Sequence, residues 1–391
     1  MDALSVAVAA NLPVILWGAP GTGKTSAVLA LGARLGLPVE VVVGSIREPS
    51  DFAGLPVLRD GGTWFAPPRW AERLASSGTG ILFLDELTTA PPAVQAAMLR
   101  VVLERAVGDL VLPPSVRIVA AANPPEQAAD GWDLSAPLAN RFIHLDWKVS
   151  AESVAEGFTG GFPAPSVTAV DLRDGAVRRA RALVGAFLRV RPELVLAVPD
   201  GPARAWPSPR TWELAATALA CTFTTTPGPA PATAGPSDAS GPERGRAVSA
   251  GTGELERGRA ASAGTGELER VRAELVVGAV GEAAGFELLS WLRDLDLPDP
   301  ATLLADPAAP LPDRVDRVHA VLGSVVAYVT ADGSADAWQR AWTVIGRVAR
   351  RTPDVAAGAA RSLAAHRPHG ATLPATVLDL APILRSAGLM P

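Results

Sequence analysis

The sequence predicts an α/β fold: a parallel five-stranded sheet with helices on both faces, followed by an all-helical region. Three observations predict it. Five short apolar runs alternate with helical patterns over residues 1–148, as in strands joined by crossover helices. The first run feeds directly into a glycine-rich loop and then a helical pattern. From Ser150 onward strand signals fade and helical periodicity takes over.

The candidate strands are Val14–Trp17, Val39–Val43, Ile81–Leu84, Val116–Ala121 and Phe142–Leu145. Each is short and apolar, as strands buried on both faces must be. The apolar stretch Leu4–Trp17 has no basic leader and runs straight into the glycine-rich loop, so it reads as a helix followed by a strand. Two hairpins interrupt the pattern. Pro56–Pro67 turns at Asp60-Gly61-Gly62, and Arg105–Pro113 turns near Gly108-Asp109. Helical patterns follow at Arg173–Val190, Arg210–Cys221, Arg270–Leu295, Asp313–Val329, Ala335–Arg351 and Ala375–Ala387.

Between these helices, Thr222–Glu269 is rich in Pro, Gly, Ser, Thr and Ala. It holds a tandem repeat, ERGRAVSAGTGEL at Glu243–Leu255 and ERGRAASAGTGEL at Glu256–Leu268. A stacked repeat needs an apolar face, and these copies offer only Leu255 and Leu268. The expectation is a disordered insertion grown by duplication, with a partner-docking arm as the rival reading. The expected organisation is therefore an α/β core at 1–148, a first helical part at 149–221, the insertion at 222–269 and further helices at 270–391.

Composition narrows the function. Over 391 residues, hydrophobic residues make up 48% and the formal net charge is −5. An acidic chain argues against a nucleic-acid coat or a basic membrane arm. Only Lys24 and Lys148 are lysines, which makes the loop lysine conspicuous. A single cysteine, Cys221, excludes an intramolecular disulfide and reads as a small buried hydrophobe. The four histidines show no ligand spacing, and the His366/His369 pair reads as a solvated turn. No stretch is long and apolar enough to span a bilayer, which points to a cytoplasmic protein.

The chemistry concentrates at strand ends. Gly18-Ala19-Pro20-Gly21-Thr22-Gly23-Lys24-Thr25, continuing into Ser26, lies between a strand and a helix. Its glycines let the backbone wrap phosphates, and the following helix presents its positive end to the same anion. Lys24 suits the β- and γ-phosphates, and the Thr25 hydroxyl suits Mg2+. About 60 residues downstream, the apolar run of Ile81–Glu86 (ILFLDE) ends in two carboxylates. The carboxyl end of a strand is where ligands bind in open sheets. Asp85 suits the metal and Glu86 suits a water poised for attack, so the pair favours hydrolysis. Val116–Ala121 ends in Ala122-Asn123-Pro124, which places Asn123 at the γ-phosphate or the lytic water.

In this order, GAPGTGKT, ILFLDE, AAANP, LANRF and SPRTW resemble the AAA+ ATPases, and within them the MoxR-type branch. Gly44–Pro56 (GSIREPSDFAGLP) with its hairpin resembles that branch's insertion within the second helix. The likeness covers residues 1 to about 220 and resumes at about Arg272–Pro300. It implies Walker A roles for Lys24 and Thr25, Walker B roles for Asp85 and Glu86, and a sensor 1 role for Asn123. It aligns Arg141 with a finger that reaches a neighbouring subunit's γ-phosphate, and Arg210 with sensor 2. It implies ATP and Mg2+ as ligands, a hexameric ring, a protein client, and a von Willebrand factor A partner. The function so implied is an ATP-driven motor that remodels or matures a partner protein. A nucleotide-dependent switch with little turnover and a DNA-acting ATPase are the other readings; Glu86 weighs against the first and the acidic balance against the second. Trp64, Phe65 and Trp70, on or just after the first hairpin, read as core rather than as a grip.

Overall fold

The computed structural model describes the chain apart from residues 1, 60, 125–130, 163–164, 167–169, 171, 173, 202, 225–251, 296, 299, 307, 373, 375–376, 378–380, 383–384 and 386–391. The α/β region runs α1 (Ala3–Ala9), β1 (Val14–Trp17), α2 (Lys24–Leu35), β2 (Val39–Val43), α3 (Ser50–Ala53), β3 (Leu55–Arg59), β4 (Gly62–Ala66), α4 (Arg69–Ser77), β5 (Gly80–Asp85), α5 (Pro92–Glu104), β6 (Ala106–Val107), β7 (Leu110–Val111), β8 (Val116–Ala122), α6 (Ala136–Ala139) and β9 (Ile143–Asp146). The five expected strands form one sheet in the order β2-β5-β8-β1-β9, and every pairing is parallel. All their carboxyl ends therefore open on one rim. The two expected hairpins form as β3–β4 and β6–β7.

Alternation along the strands divides the core. Val14, Leu16, Ile81, Phe83, Val119 and Ile143 face a cluster shared with α1. Ile15, Trp17, Leu82, Leu84, Ile118 and Ala120 face the opposite cluster, under α4 and α5. The helical region runs α7 (Ala151–Gly160), α8 (Asp174–Val190), α9 (Pro209–Thr224), α10 (Thr252–Val280), α11 (Glu282–Arg293), α12 (Pro300–Ala305), α13 (Val315–Asp332), α14 (Ala335–Ala349) and α15 (Pro353–Ala365). Helices α9 to α11 act as a lid on the sheet: Trp212, Ala215, Val271, Leu275, Val276 and Leu288 complete the first cluster. The contact is close. A Cβ on Gly278 would stand 2.3 Å from the His144 carbonyl oxygen on β9. Helices α12 to α15 enclose a separate core around Trp338, Trp342, Ile345 and Leu363. Among the described residues, no helix is long and apolar enough to cross a membrane.

Several expectations need correction. The single helix expected over Arg270–Leu295 is two, because Gly281 takes a left-handed φ of +84° between α10 and α11. Residues 252–269, expected to be disordered, lie in α10. Their Glu, Arg, Leu and Ala content favours a helix even without a wide apolar stripe. Within the expected insertion, residues 225–251 lie outside the described residues. So does most of the helix expected at Ala375–Ala387. Helices α7, α12 and α15 were not foreseen; α7 starts on a Ser150/Ser153 capping box, and α15 is alanine-rich. Cys221 is buried, and burial pushes its thiol pKa up to about 12. Trp70 is buried as expected, whereas Phe65 is 42% exposed, because the outer face of β3–β4 has nothing packed over it among the described residues.

Candidate functional site

The site is built where β1, β5 and β8 end. Gly21 and Gly23 take φ of +74° and +83°, so the loop turns its main chain inward in a conformation that a side chain would strain. Lys24 opens α2 and is 7% exposed. Its ammonium donates to the carbonyls of Gly18 at 2.7 Å and Ala19 at 3.0 Å, and to Asn123 Oδ1 at 3.1 Å. Burial lowers its pKa from the ordinary value, while Asp85 and Glu86 pull it back up. Trp147, just past β9, donates from Nε1 to the Thr22 carbonyl at 3.0 Å and ties the loop to the sheet.

One residue along α2, Thr25 Oγ1 donates to Asp85 Oδ2 at 2.7 Å. Asp85 Oδ1 accepts the Glu86 N–H at 2.9 Å, and Glu86 sits at φ +57°. A non-glycine residue there stores strain of roughly 1–3 kcal/mol, a common mark of a working residue. The Glu86 carboxylate in turn accepts a hydrogen bond from Ser45 Oγ. Asn123 is steadied by Thr88, whose hydroxyl pairs with its main-chain N–H and carbonyl, both at 3.3 Å. Lys24, Thr25, Asp85, Glu86 and Asn123 thus come together at one rim. A hydroxyl touching a carboxylate beside a buried ammonium is a donor set that fits Mg2+ carried by a triphosphate.

Arg141 and Arg210 form a second group. Arg141 follows α6, is half-buried, and donates from Nη1 to the Pro137 carbonyl at 2.7 Å. Its Nε is buried without a partner. Among the described residues no carboxylate pairs with it. Its pKa is lowered, first by burial and then by the charge of Arg210. Arg210 is exposed, in the first turn of α9. The two segments are joined: Ser208 Oγ donates to Asn140 Oδ1 at 3.0 Å and accepts the Thr211 N–H at 3.2 Å. Behind them, Trp17 Nε1 donates to His144 Nδ1 at 2.8 Å, and His144 Nε2 reaches the Ala139 carbonyl at 2.9 Å. That pairing fixes a neutral imidazole, and burial pushes its pKa down to about 4. Arg204 lies 4.2 Å over the Trp17 ring and 3.1 Å from Asp146.

Residues 13–142 match the family model described as AAA domain, dynein-related subfamily. The matched stretch, from β1 to just past the end of α6, has the fold of a P-loop AAA+ domain. Solved structures similar to it include a candidate ATPase from Cytophaga hutchinsonii ATCC 33406, at 18% identity over 57% of this chain and 76% of that one, with a TM-score of 0.37. Another is a full-length MCM homolog from Methanopyrus kandleri, at 19% identity over 56% of this chain and 48% of that one, with a TM-score of 0.35.

Sequence reasoning missed Ser45, Thr88, Trp147, Asn140 and Ser208. Three had a usable signal. Ser45, Thr88 and Trp147 each lie just beyond the carboxyl end of a strand, where parallel sheets collect ligand contacts. Asn140 and Ser208 meet only through the lid, and nothing in their spacing announces it.

Proposed function

We propose that this chain hydrolyses ATP with Mg2+, in a ring of identical subunits, and uses the energy to remodel a partner protein. The observation that carries the reading is the contact of Thr25 Oγ1 with Asp85 Oδ2 at 2.7 Å, beside a buried lysine and a second carboxylate. Gly18 to Gly23 would wrap the phosphates with main-chain N–H groups. Lys24 would exchange its carbonyl partners for phosphate oxygens. Thr25 and Asp85 would hold Mg2+, which neutralises charge on the triphosphate. Asn123 would position the γ-phosphate, and Glu86 would orient the attacking water and take its proton. Ser45 would aim Glu86 until nucleotide arrives.

Arg141 and Arg210 would serve one anion together. Two guanidiniums close enough to depress a pKa, one of them without a carboxylate partner, suit a phosphate arriving from outside. In a ring that phosphate belongs to the neighbouring subunit, which makes a hexamer the expected assembly. The client would meet the hairpins, where Leu58 is 86% exposed and Val111 67% exposed.

The test is Glu86→Gln. Steady-state phosphate release should fall about 100-fold or more while nucleotide affinity stays within about threefold. The variant should also retain a client long enough for capture in ATP. Undiminished turnover would remove Glu86 from the reaction and with it the hydrolytic reading.

A further inference from the structure

Where α8 meets the C-terminal bundle, a cleft of about 790 Å3 opens between the last turn of α8 and the first turns of α13 and α15. Three arginines from three segments line it: Arg189, Arg314 and Arg351. Arg314 is committed, because its Nη2 lies 2.8 Å from Asp316 Oδ2. Asp316 is equally committed, since it also accepts from Trp291 Nε1 at 3.1 Å. Arg189 and Arg351 differ. Both are exposed, and neither makes a side-chain hydrogen bond or ion pair among the described residues. The remaining acid on the wall is Asp354, in the first turn of α15, where that helix's dipole already favours it.

Two further features draw negative charge to the same place. Helices α13 and α15 both begin at the cleft, and neither has a side-chain cap at its amino end. Main-chain N–H groups in their first turns therefore need an outside acceptor. His319, one turn into α13, has a buried Nδ1 without a partner. Burial and the nearby Arg189 charge push its pKa down to about 4, a sign of positive potential at the wall. The rest of the lining, Val190, Val315 and Val355, is apolar.

We propose that this cleft binds a small organic oxyanion, its phosphate or carboxylate head forked by Arg189 and Arg351 and its apolar body resting on Val190, Val315 and Val355. No residue of the cleft belongs to the nucleotide rim, so the ligand is a second one, held between α8 and the bundle. A guanidinium pair that is unpaired among the described residues supplies both the charge and the planar geometry for such a head group.

The experiment titrates phenyl phosphate and benzoate into the full chain saturated with ADP and Mg2+, with heat as the readout. Phenyl phosphate or benzoate should saturate one site, and the tighter of the two names the head group. Binding should weaken about tenfold or more in the Arg189→Ala/Arg351→Ala double variant. Arg351→Lys, which keeps the charge and loses the planar fork, should keep only part of it. Both side chains are exposed, so thermal melting of the variants should match that of the parent. Saturation by neither probe, or equal binding in parent and double variant, overturns the proposal.

Discussion

At the carboxyl rim of the sheet, Lys24, Thr25, Asp85 and Asn123 hold one another through hydrogen bonds of 2.7–3.1 Å. The bundle of α12 to α15 closes differently. It packs Trp338 edge-on against Trp342, at 5.6 Å between ring centres, and buries both almost completely. There Trp338 Nε1 donates to the Leu363 carbonyl at 2.9 Å, while Trp342 Nε1 is buried with no partner. The rim is specified by polar geometry, whereas the bundle is specified by volume. Damage should follow the same division: rim substitutions should cost turnover and leave folding intact, and bundle substitutions should do the reverse.

The sharpest way to break that division is Arg141→Ala. Its guanidinium supports no core contact, so melting should hold, yet phosphate release should drop by about 1,000-fold or more with nucleotide affinity nearly unchanged. Hydrolysis at the parent rate would show that the rim extends no further than Lys24 and its neighbours. Trp338→Ala tests the other half. Removing a fully buried indole should lower unfolding stability by about 3–5 kcal/mol in denaturant titrations while ATP affinity stays the same.

A pH titration probes a buried polar residue behind the rim. His144 is buried and neutral, with its pKa near 4 instead of the ordinary 6.5. The unfolded chain takes up this proton below about pH 6.5, and the folded chain only near pH 4. Stability is therefore whole above pH 6.5 and falls as pH drops from there toward 4, by about 3 kcal/mol for this group. His319 shifts in the same direction and deepens the same slope. His144→Gln should flatten the His144 share, and an unchanged slope would assign the whole loss to other groups. The smallest effect is expected from Ser208→Ala. It removes the Asn140 bond and the amino-terminal cap of α9, so stability should fall by about 1–2 kcal/mol. Turnover should fall further than that loss explains if the bond also aims Arg141.

Legibility in the sequence followed the same line. The inner strands β1 and β5 read correctly because a strand buried on both faces is an unbroken apolar run, and the half-buried edge strand β2 breaks its run only at Glu40. Lys24, Thr25, Asp85, Glu86 and Asn123 could be gathered in advance because parallel strands all deliver their ends to one rim. The Ser208–Asn140 bond could not, since it joins segments through a tertiary approach with no fixed spacing. Residues 252–269 misled for a different reason. Their repeats hold few large apolar residues to mark a helical face, and their Glu, Arg and Ala content was the signal to weigh instead.

The approach of Gly278 to His144 has a mechanical consequence. The main chain of α10 approaches that of β9 there so closely that no room is left for a Cβ on residue 278. The lid is thus seated on β9 at this point. A single methyl added at position 278 would meet the His144 carbonyl oxygen and force α10 away from the strand.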